Sequence, residues 1–168
     1  MDKTDIAPAL PRQSQSRLSP VLFWVLIAAV VFRIVTGIMD RGGPEGGVGL
    51  VRWQSREKAA GLAQASGKPI LYDFTAAWCA PCKLVDRDWE DPALAQAVNG
   101  AFIPARVVDR TREDGRNPPE IAELQRRYEI AGFPTIVAAA PDGRLIAKID
   151  GYRGKQAMME FLEEAKGK

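Results

Sequence analysis

Residues 70–83 have the sequence ILYDFTAAWCAPCK, and this stretch decides the fold that we expect. Its first half is rich in aromatic and branched side chains, which is typical of a short buried strand. The two cysteines, Cys79 and Cys82, follow the strand with two residues between them and open a segment of helical character that runs to Glu90. A Cys-x-x-Cys pair between a strand and a helix indicates a redox-active dithiol.

We predict different roles for the two cysteines. Cys79 lies at the start of the helix, where unpaired backbone N–H groups stabilise a thiolate, so we expect it to be the attacking nucleophile. Cys82 lies one turn later and is the resolving thiol, which attacks the mixed disulfide. Two other interpretations stay open on the sequence alone: half of a metal site, or two unrelated thiols.

The composition excludes several other classes of function. The chain of 168 residues contains no histidine, which removes Ser-His-Asp and Cys-His catalytic arrangements and all histidine-containing metal sites. Two cysteines cannot supply the four ligands of a structural zinc. Residues 40–168 carry equal numbers of basic and acidic side chains, so we expect no nucleic-acid partner. We also expect no cofactor and no bound metal.

Helical and strand patterns alternate from Trp53 onward. We predict helices at residues 55–66, 82–90, 92–99, 118–128 and 154–166. We predict strands at residues 69–75, 102–109, 135–140 and 144–150, with a charged loop at 110–117 and a turn at 141–143. Alternating elements with a closing hairpin indicate an α/β domain with a mixed sheet.

An apolar span near the N-terminus predicts a membrane anchor. Residues 21–39 form a stretch of 19 residues, close to the roughly 20 that cross a bilayer as a helix. Arg33 interrupts the stretch, but a cation past the middle of the span can reach toward the membrane surface. No small-x-small cleavage site follows Phe32, so we favour an uncleaved signal-anchor over a cleaved signal peptide or a soluble helix.

The regions around this span complete the predicted organisation. We expect residues 1–20 to be a disordered tail. We place this tail in the cytoplasm because a long C-terminal domain is translocated largely regardless of charge. The arginines on the two sides of the span are balanced and do not decide the orientation. Residues 40–52 contain five glycines and form a flexible linker, and residues 53–168 form the folded domain.

Two motifs in this order resemble the thioredoxin family: the stretch at 70–83 and the sequence YEIAGFPTIV at residues 128–137. The resemblance implies the thioredoxin-like fold, a central mixed sheet flanked by helices, here with an N-terminal transmembrane helix. It also implies that Pro134 is a cis-proline in a loop that faces the dithiol.

The resemblance extends to further residues of the site. It implies that Phe133, Pro134 and Thr135 bind substrate, through the backbone of their loop, and that Trp78 lies on the active-site surface. For Trp78 a packing role is a close alternative.

Asp73 lies six residues before Cys79, within the predicted strand. The resemblance implies that it is a buried acid that exchanges protons with Cys82, and a desolvated carboxyl group would have a raised pKa that suits this work. An edge-strand aspartate that faces solvent is the alternative. Family members often carry a lysine beside this acid. The matching position here is Ala105, with Arg106 next to it, so the sequence does not explain how Asp73 is tuned.

The residues before the dithiol, Phe74-Thr75-Ala76, resemble the C-terminal thioredoxin-like domain of DsbD-type thiol:disulfide interchange proteins. This implies a monomeric reductase that is tethered to the bacterial inner membrane by a single span, with its domain in the periplasm. A membrane dithiol would donate electrons to it, and disulfides in exported proteins would be its substrates. The alternatives are an oxidase or isomerase of the same fold and a Cu(I)-binding carrier, against which the absence of histidine counts.

Overall fold

The computed structural model describes residues 49–167 and, closer to the N-terminus, residues 24, 25 and 27–29. The chain divides into two units, Met1–Arg41 and Gly42–Lys168. In the first unit the described residues are helical, and their side chains are exposed. The predicted tail at 1–20 and the rest of the predicted span at 21–39 lie outside the described residues. Within the described part of the chain, none of the helices has the length and apolar character that crossing a membrane requires.

The second unit alternates helices and strands along the chain. The elements are α1 (Arg56–Ser66), β1 (Ile70–Ala76), α2 (Cys82–Asp88), α3 (Pro92–Ala101), β2 (Ile103–Asp109), α4 (Thr111–Asp114), α5 (Pro119–Arg127), β3 (Thr135–Ala139), β4 (Leu145–Asp150) and α6 (Lys155–Lys166). The predicted helices and strands are confirmed with small shifts of their ends.

The strands form one mixed sheet in the order β2-β1-β3-β4. Strands β1 and β2 run parallel, whereas β3 runs antiparallel to both β1 and β4. The predicted mixed sheet is therefore confirmed. The carboxyl end of β1 leads directly to the dithiol, which places the cysteines at one edge of the sheet.

Strand β1 is buried along its whole length and separates two apolar clusters. Leu71 packs on one face with side chains of α2, α3 and α6. Ile70, Tyr72 and Phe74 pack on the other face with side chains of α1 and α5. Because successive side chains of a strand point to opposite faces, Asp73 shares the face of Leu71 and lies beneath α2. Full burial stabilises each large apolar side chain by roughly 1.5–3 kcal/mol.

Two predicted loop segments are more ordered than the sequence indicated. Residues 49–52, which we assigned to the glycine-rich linker, pack on the domain: Val51 is buried, and the Arg52 N–H donates to Asn99 Oδ1 at 2.9 Å. The charged segment 110–117 contains the one-turn helix α4, which ends at Gly115 with a φ of 74°. Arg110 and Asp114 of this segment pair with each other, so the charged sequence indicated a loop and not this helical turn.

Candidate active site

The two cysteines lie at the junction of β1 and α2. Their sulfur atoms are 2.09 Å apart, at disulfide-bond distance, and their Cα atoms are 5.3 Å apart. The backbone N–H of Cys82 donates a hydrogen bond to Cys79 Sγ at 3.2 Å. Such a bond favours the charged form of its acceptor, so in the reduced protein it stabilises a thiolate on Cys79.

Both cysteines are enclosed by the protein. Cys79 is 2% exposed and Cys82 is 1% exposed. They form a small apolar cluster with Ala76, against which Phe133 packs.

Asp73 is 1% exposed and lies beneath α2. Its Oδ2 accepts a hydrogen bond from Trp89 Nε1 at 3.1 Å and another from Arg106 Nε at 3.1 Å. Its Oδ1 is buried and has no hydrogen-bond partner among the described residues. Burial raises the pKa of Asp73, although the Arg106 cation and the Trp89 hydrogen bond oppose that rise. The predicted burial is confirmed, and the alternative of a solvent-facing edge position is excluded.

Arg106 joins Asp73 to helix α2. The strand register sets Arg106 directly opposite Asp73, so the position beside the acid is Arg106 and not Ala105. One guanidinium nitrogen lies 3.0 Å from Asp73 Oδ2 and 2.7 Å from Asp86 Oδ1. A cation thus stands beside the acid, and its planar fork contacts two carboxylates at once.

The Phe133–Pro134 peptide bond is cis, as the resemblance implied. The Gly151 N–H donates to the Pro134 carbonyl at 2.8 Å and stabilises the position of the loop. Thr135 is buried, and its hydroxyl lies 2.9 Å from the Gly132 carbonyl and 3.2 Å from Asp150 Oδ1. The hydroxyl of Thr135 is therefore engaged within the protein, which leaves contact with a partner to the backbone of this loop.

Trp78 lies on the surface beside the dithiol and is 42% exposed. Its ring packs edge-on against Phe133, with centroids 5.8 Å apart. The guanidinium carbon of Arg112 lies 3.6 Å from the centre of the Trp78 ring. The sequence did not indicate Arg112, because it stands in a charged segment far from Trp78 along the chain.

Among the described residues, no group of three or more histidine, cysteine, aspartate or glutamate side chains is placed to hold a metal ion.

Comparison with known proteins indicates the family of this chain. The family model described as a thioredoxin-like domain matches residues 56–166, about two thirds of the chain. A thioredoxin of Mycobacterium bovis is 31% identical over 100 residues, which cover 60% of this chain and 76% of that protein. The thiol:disulfide interchange protein DsbD of Yersinia pestis is 30% identical over 106 residues, which cover 61% of this chain and 17% of that longer protein.

A solved structure shares the fold. The oxidoreductase DsbH superposes with a TM-score of 0.59 at 21% sequence identity, covering 74% of this chain and 90% of that chain.

The fold and the cysteine pair define a thiol–disulfide oxidoreductase. The chain belongs to the family of proteins with a thioredoxin-like domain. Protein disulfides are the substrates that this family implies, and Cys79 and Cys82 lie at disulfide-bond distance from each other.

Proposed function

We propose that this protein is a membrane-tethered reductase of disulfides in exported proteins. The observation that carries the proposal is the environment of the dithiol. The donor to Cys79 Sγ is a backbone N–H, and the chain has no histidine to pair with the sulfur. Such a thiolate is stabilised only modestly, and a dithiol whose reduced form is not strongly stabilised gives up its electrons readily.

The first step is an attack by the Cys79 thiolate on one sulfur of the partner disulfide. The partner S–S bond breaks, one partner thiolate leaves, and a mixed disulfide forms between Cys79 and the partner. The backbone of the loop at residues 133–135 holds the partner chain beside the dithiol. Trp78 supplies an exposed apolar surface next to the attacking sulfur.

The second step releases the partner. Cys82 gives its proton to the Asp73 carboxylate, and the Cys82 thiolate attacks Cys79 Sγ. The bond to the partner breaks, a second partner thiolate leaves, and the Cys79–Cys82 disulfide forms. Two electrons have then passed to the partner, and a membrane dithiol returns the enzyme to its reduced form. Asp73 suits this role because its raised pKa makes it a better base than an exposed carboxylate.

The apolar stretch at residues 21–39 supports the membrane anchor. The described residues within it are helical, and large apolar side chains there, those of Trp24 and Val25, are exposed. A lipid environment covers such side chains. With the short N-terminal tail in the cytoplasm, the dithiol lies in the periplasm, where protein disulfides persist.

Equilibration of the full-length protein with glutathione tests the direction of electron flow. In a buffer poised at about −200 mV, a couple near the thioredoxin value of about −270 mV is oxidised by roughly 200 to 1. Trapping of free thiols should therefore show almost no dithiol. A protein that stays mostly reduced in this buffer is an oxidant or an isomerase, and the proposed reductase function is then wrong.

Thiol labelling of intact cells tests the anchor independently. After mild reduction, a reagent that does not cross the inner membrane should label Cys79 and Cys82 in the membrane fraction. The double variant Cys79→Ser/Cys82→Ser is the control for background. Labelling that requires lysis would place the domain in the cytoplasm and contradict the periplasmic location.

A further inference from the structure

The segment between β2 and α5, residues 110–117, brings a positive charge to the edge of the active site. Arg112 stacks on Trp78, the residue before Cys79, at 3.6 Å from the ring centre. Trp78 in turn contacts Phe133 of the cis-proline loop. The guanidinium group therefore stands next to the surface on which a partner must lie during exchange.

Asp109, at the end of β2, fixes this segment to the domain. Its Oδ1 accepts from the Thr111 N–H, and its Oδ2 accepts from the side chains of Asn117 and Gln125. The Arg110 N–H donates to Asn117 Oδ1 at 2.7 Å and closes the segment on itself. Arg112 is thus carried by an anchored loop, which lowers the conformational entropy that the loop itself loses when a partner binds.

Two acidic side chains near the segment have cations of their own. Asp114 lies 2.6 Å from Arg110, and Asp86 lies 2.7 Å from Arg106. The side chain of Lys83 is 61% exposed and lies 3.7 Å from Asp86. These ion pairs leave the charge of Arg112 available to a carboxylate from outside.

A cleft of about 500 Å³ lies beside the segment. Its lining includes Ala76 and Ala77, which belong to the segment that leads to Trp78. It also includes three cationic side chains and one acidic side chain: Lys83, Arg106, Arg110 and Asp86. Arg106 and Arg110 in this cleft are already paired with acidic side chains, so the charge that we assign to partner binding is that of Arg112.

We propose that the preferred substrates are polypeptide disulfides with acidic residues beside the attacked cysteine, and that Arg112 selects them. The inference rests on the proposed reductase function and adds the class of substrate. An arginine stacked on an exposed tryptophan combines the two residue types that most often dominate binding at protein interfaces. Its charge also steers an acidic partner toward the dithiol and disfavours a basic one.

Three disulfide peptides test the inference. They are identical except for the residues that flank the attacked cysteine, which are Asp, Asn or Lys. Turnover by the full-length protein is measured with dithiothreitol, an uncharged reductant, at low and at high salt. We expect kcat/KM for the Asp peptide to exceed that for the Lys peptide about tenfold at low salt, and we expect salt to reduce this ratio.

Variants assign the preference to Arg112. Arg112→Glu should bring the Asp-to-Lys ratio to one or below, whereas Arg112→Lys should keep most of it. The matched control is Arg144→Glu, an equal charge reversal at an exposed position of the β3–β4 turn. That turn follows the far end of β3, roughly 17 Å along the strand from the cis-proline loop, so this variant should keep the wild-type ratio. Circular dichroism and thermal unfolding confirm that each variant is folded.

The outcomes separate the inference from the function on which it rests. Turnover of all three peptides at equal rates would contradict the selection of acidic substrates while leaving the reductase function in place. An equal change of the ratio in Arg112→Glu and Arg144→Glu would show an effect of net charge and remove Arg112 as the selecting residue. No turnover of the Asn peptide by the wild-type protein would contradict the proposed function itself.

Discussion

Asp73 and Asp109 are both buried aspartates of the parallel strand pair, and they differ in how their oxygens are satisfied. Asp73 is 1% exposed and Asp109 is 6% exposed. Only one oxygen of Asp73 accepts hydrogen bonds, and burial raises its pKa. Both oxygens of Asp109 accept hydrogen bonds. Burial raises the pKa of Asp109 too, but hydrogen bonds from Gln125, Asn117 and Thr111 outweigh it and lower the pKa overall.

The difference separates a reactive group from a structural one. A carboxylate with enough donors is stable as an anion and serves as an anchor, as Asp109 does for the segment 110–117. A carboxylate with a bare oxygen in an apolar interior has a raised pKa and holds its proton more tightly, which suits it to proton exchange. Burial and hydrogen-bond satisfaction together therefore decide the role of each aspartate.

Replacement of Asp73 by asparagine should have the largest effect on activity. Without the carboxylate, Cys82 loses its proton acceptor, and we expect the rate of mixed-disulfide resolution to fall about hundredfold at neutral pH, at the lower end of acid–base effects. Rapid-mixing kinetics with a disulfide peptide measure this rate. Attack by Cys79 should change far less, so mixed disulfides should accumulate. An Asp73→Asn variant that resolves them at the wild-type rate would remove Asp73 from the mechanism.

The same variant should be at least as stable as the wild type at neutral pH. Because the folded protein raises the pKa of Asp73, ionisation of this group opposes folding as the pH rises above the unfolded value of 3.8. The gain in the free energy of unfolding that Asp73→Asn brings should therefore vanish in acid. Urea unfolding at several pH values measures it.

Asp109→Asn should show the opposite stability effect. Each oxygen of Asp109 faces a donor, so either orientation of the new amide sets two donors against each other. We expect a loss of about 2 kcal/mol in the free energy of unfolding at neutral pH, the usual size for a hydrogen bond to a charged group. The loss should shrink as the pH falls through and below 3.8, because the lowered pKa stabilises the fold only while Asp109 is ionised. A loss of equal size at all pH values would contradict this assignment.

Arg106→Lys should give the smallest of these effects. The guanidinium contacts Asp73 and Asp86 together, whereas an ammonium group is a point charge that cannot span both in the same way. Asp73 would lose part of the interaction that opposes its raised pKa, so the pH–rate profile of resolution should move to higher pH. We expect a severalfold slower rate at neutral pH that recovers in more alkaline buffer. An unchanged profile would mean that Arg106 supports the structure without tuning Asp73.

The sequence predicted the parts of this site that depend on local spacing. The strand, the cysteine pair and the following helix lie within one short stretch, so the pattern was enough to place Cys79 and Cys82. The resemblance to the thioredoxin family indicated Asp73. The second motif placed Pro134. The hairpin of β3 and β4 followed from its turn residues.

The parts that the sequence missed depend on register and on long-range packing. A shift of one residue in the pairing of β1 with β2 turns every side chain to the opposite face, which is why Ala105 was taken for the position that Arg106 holds. Trp89 lies sixteen residues from Asp73 along the chain, and its contact with the acid depends on how α2 packs. Arg112 reaches Trp78 because the segment 110–117 folds back toward the dithiol. The hydrogen bonds that Asp109 accepts hold the segment in this position.

A carbon-13 NMR titration of the aspartate carboxyl groups in the oxidised protein tests the central claim most directly. Asp73 and Asp109 are assigned by comparison with the Asp73→Asn and Asp109→Asn variants. The account predicts that Asp73 titrates above 3.8 and that Asp109 titrates below it in the same sample. An Asp73 carboxyl group that titrates at or below 3.8 would contradict its role as the proton acceptor of the dithiol.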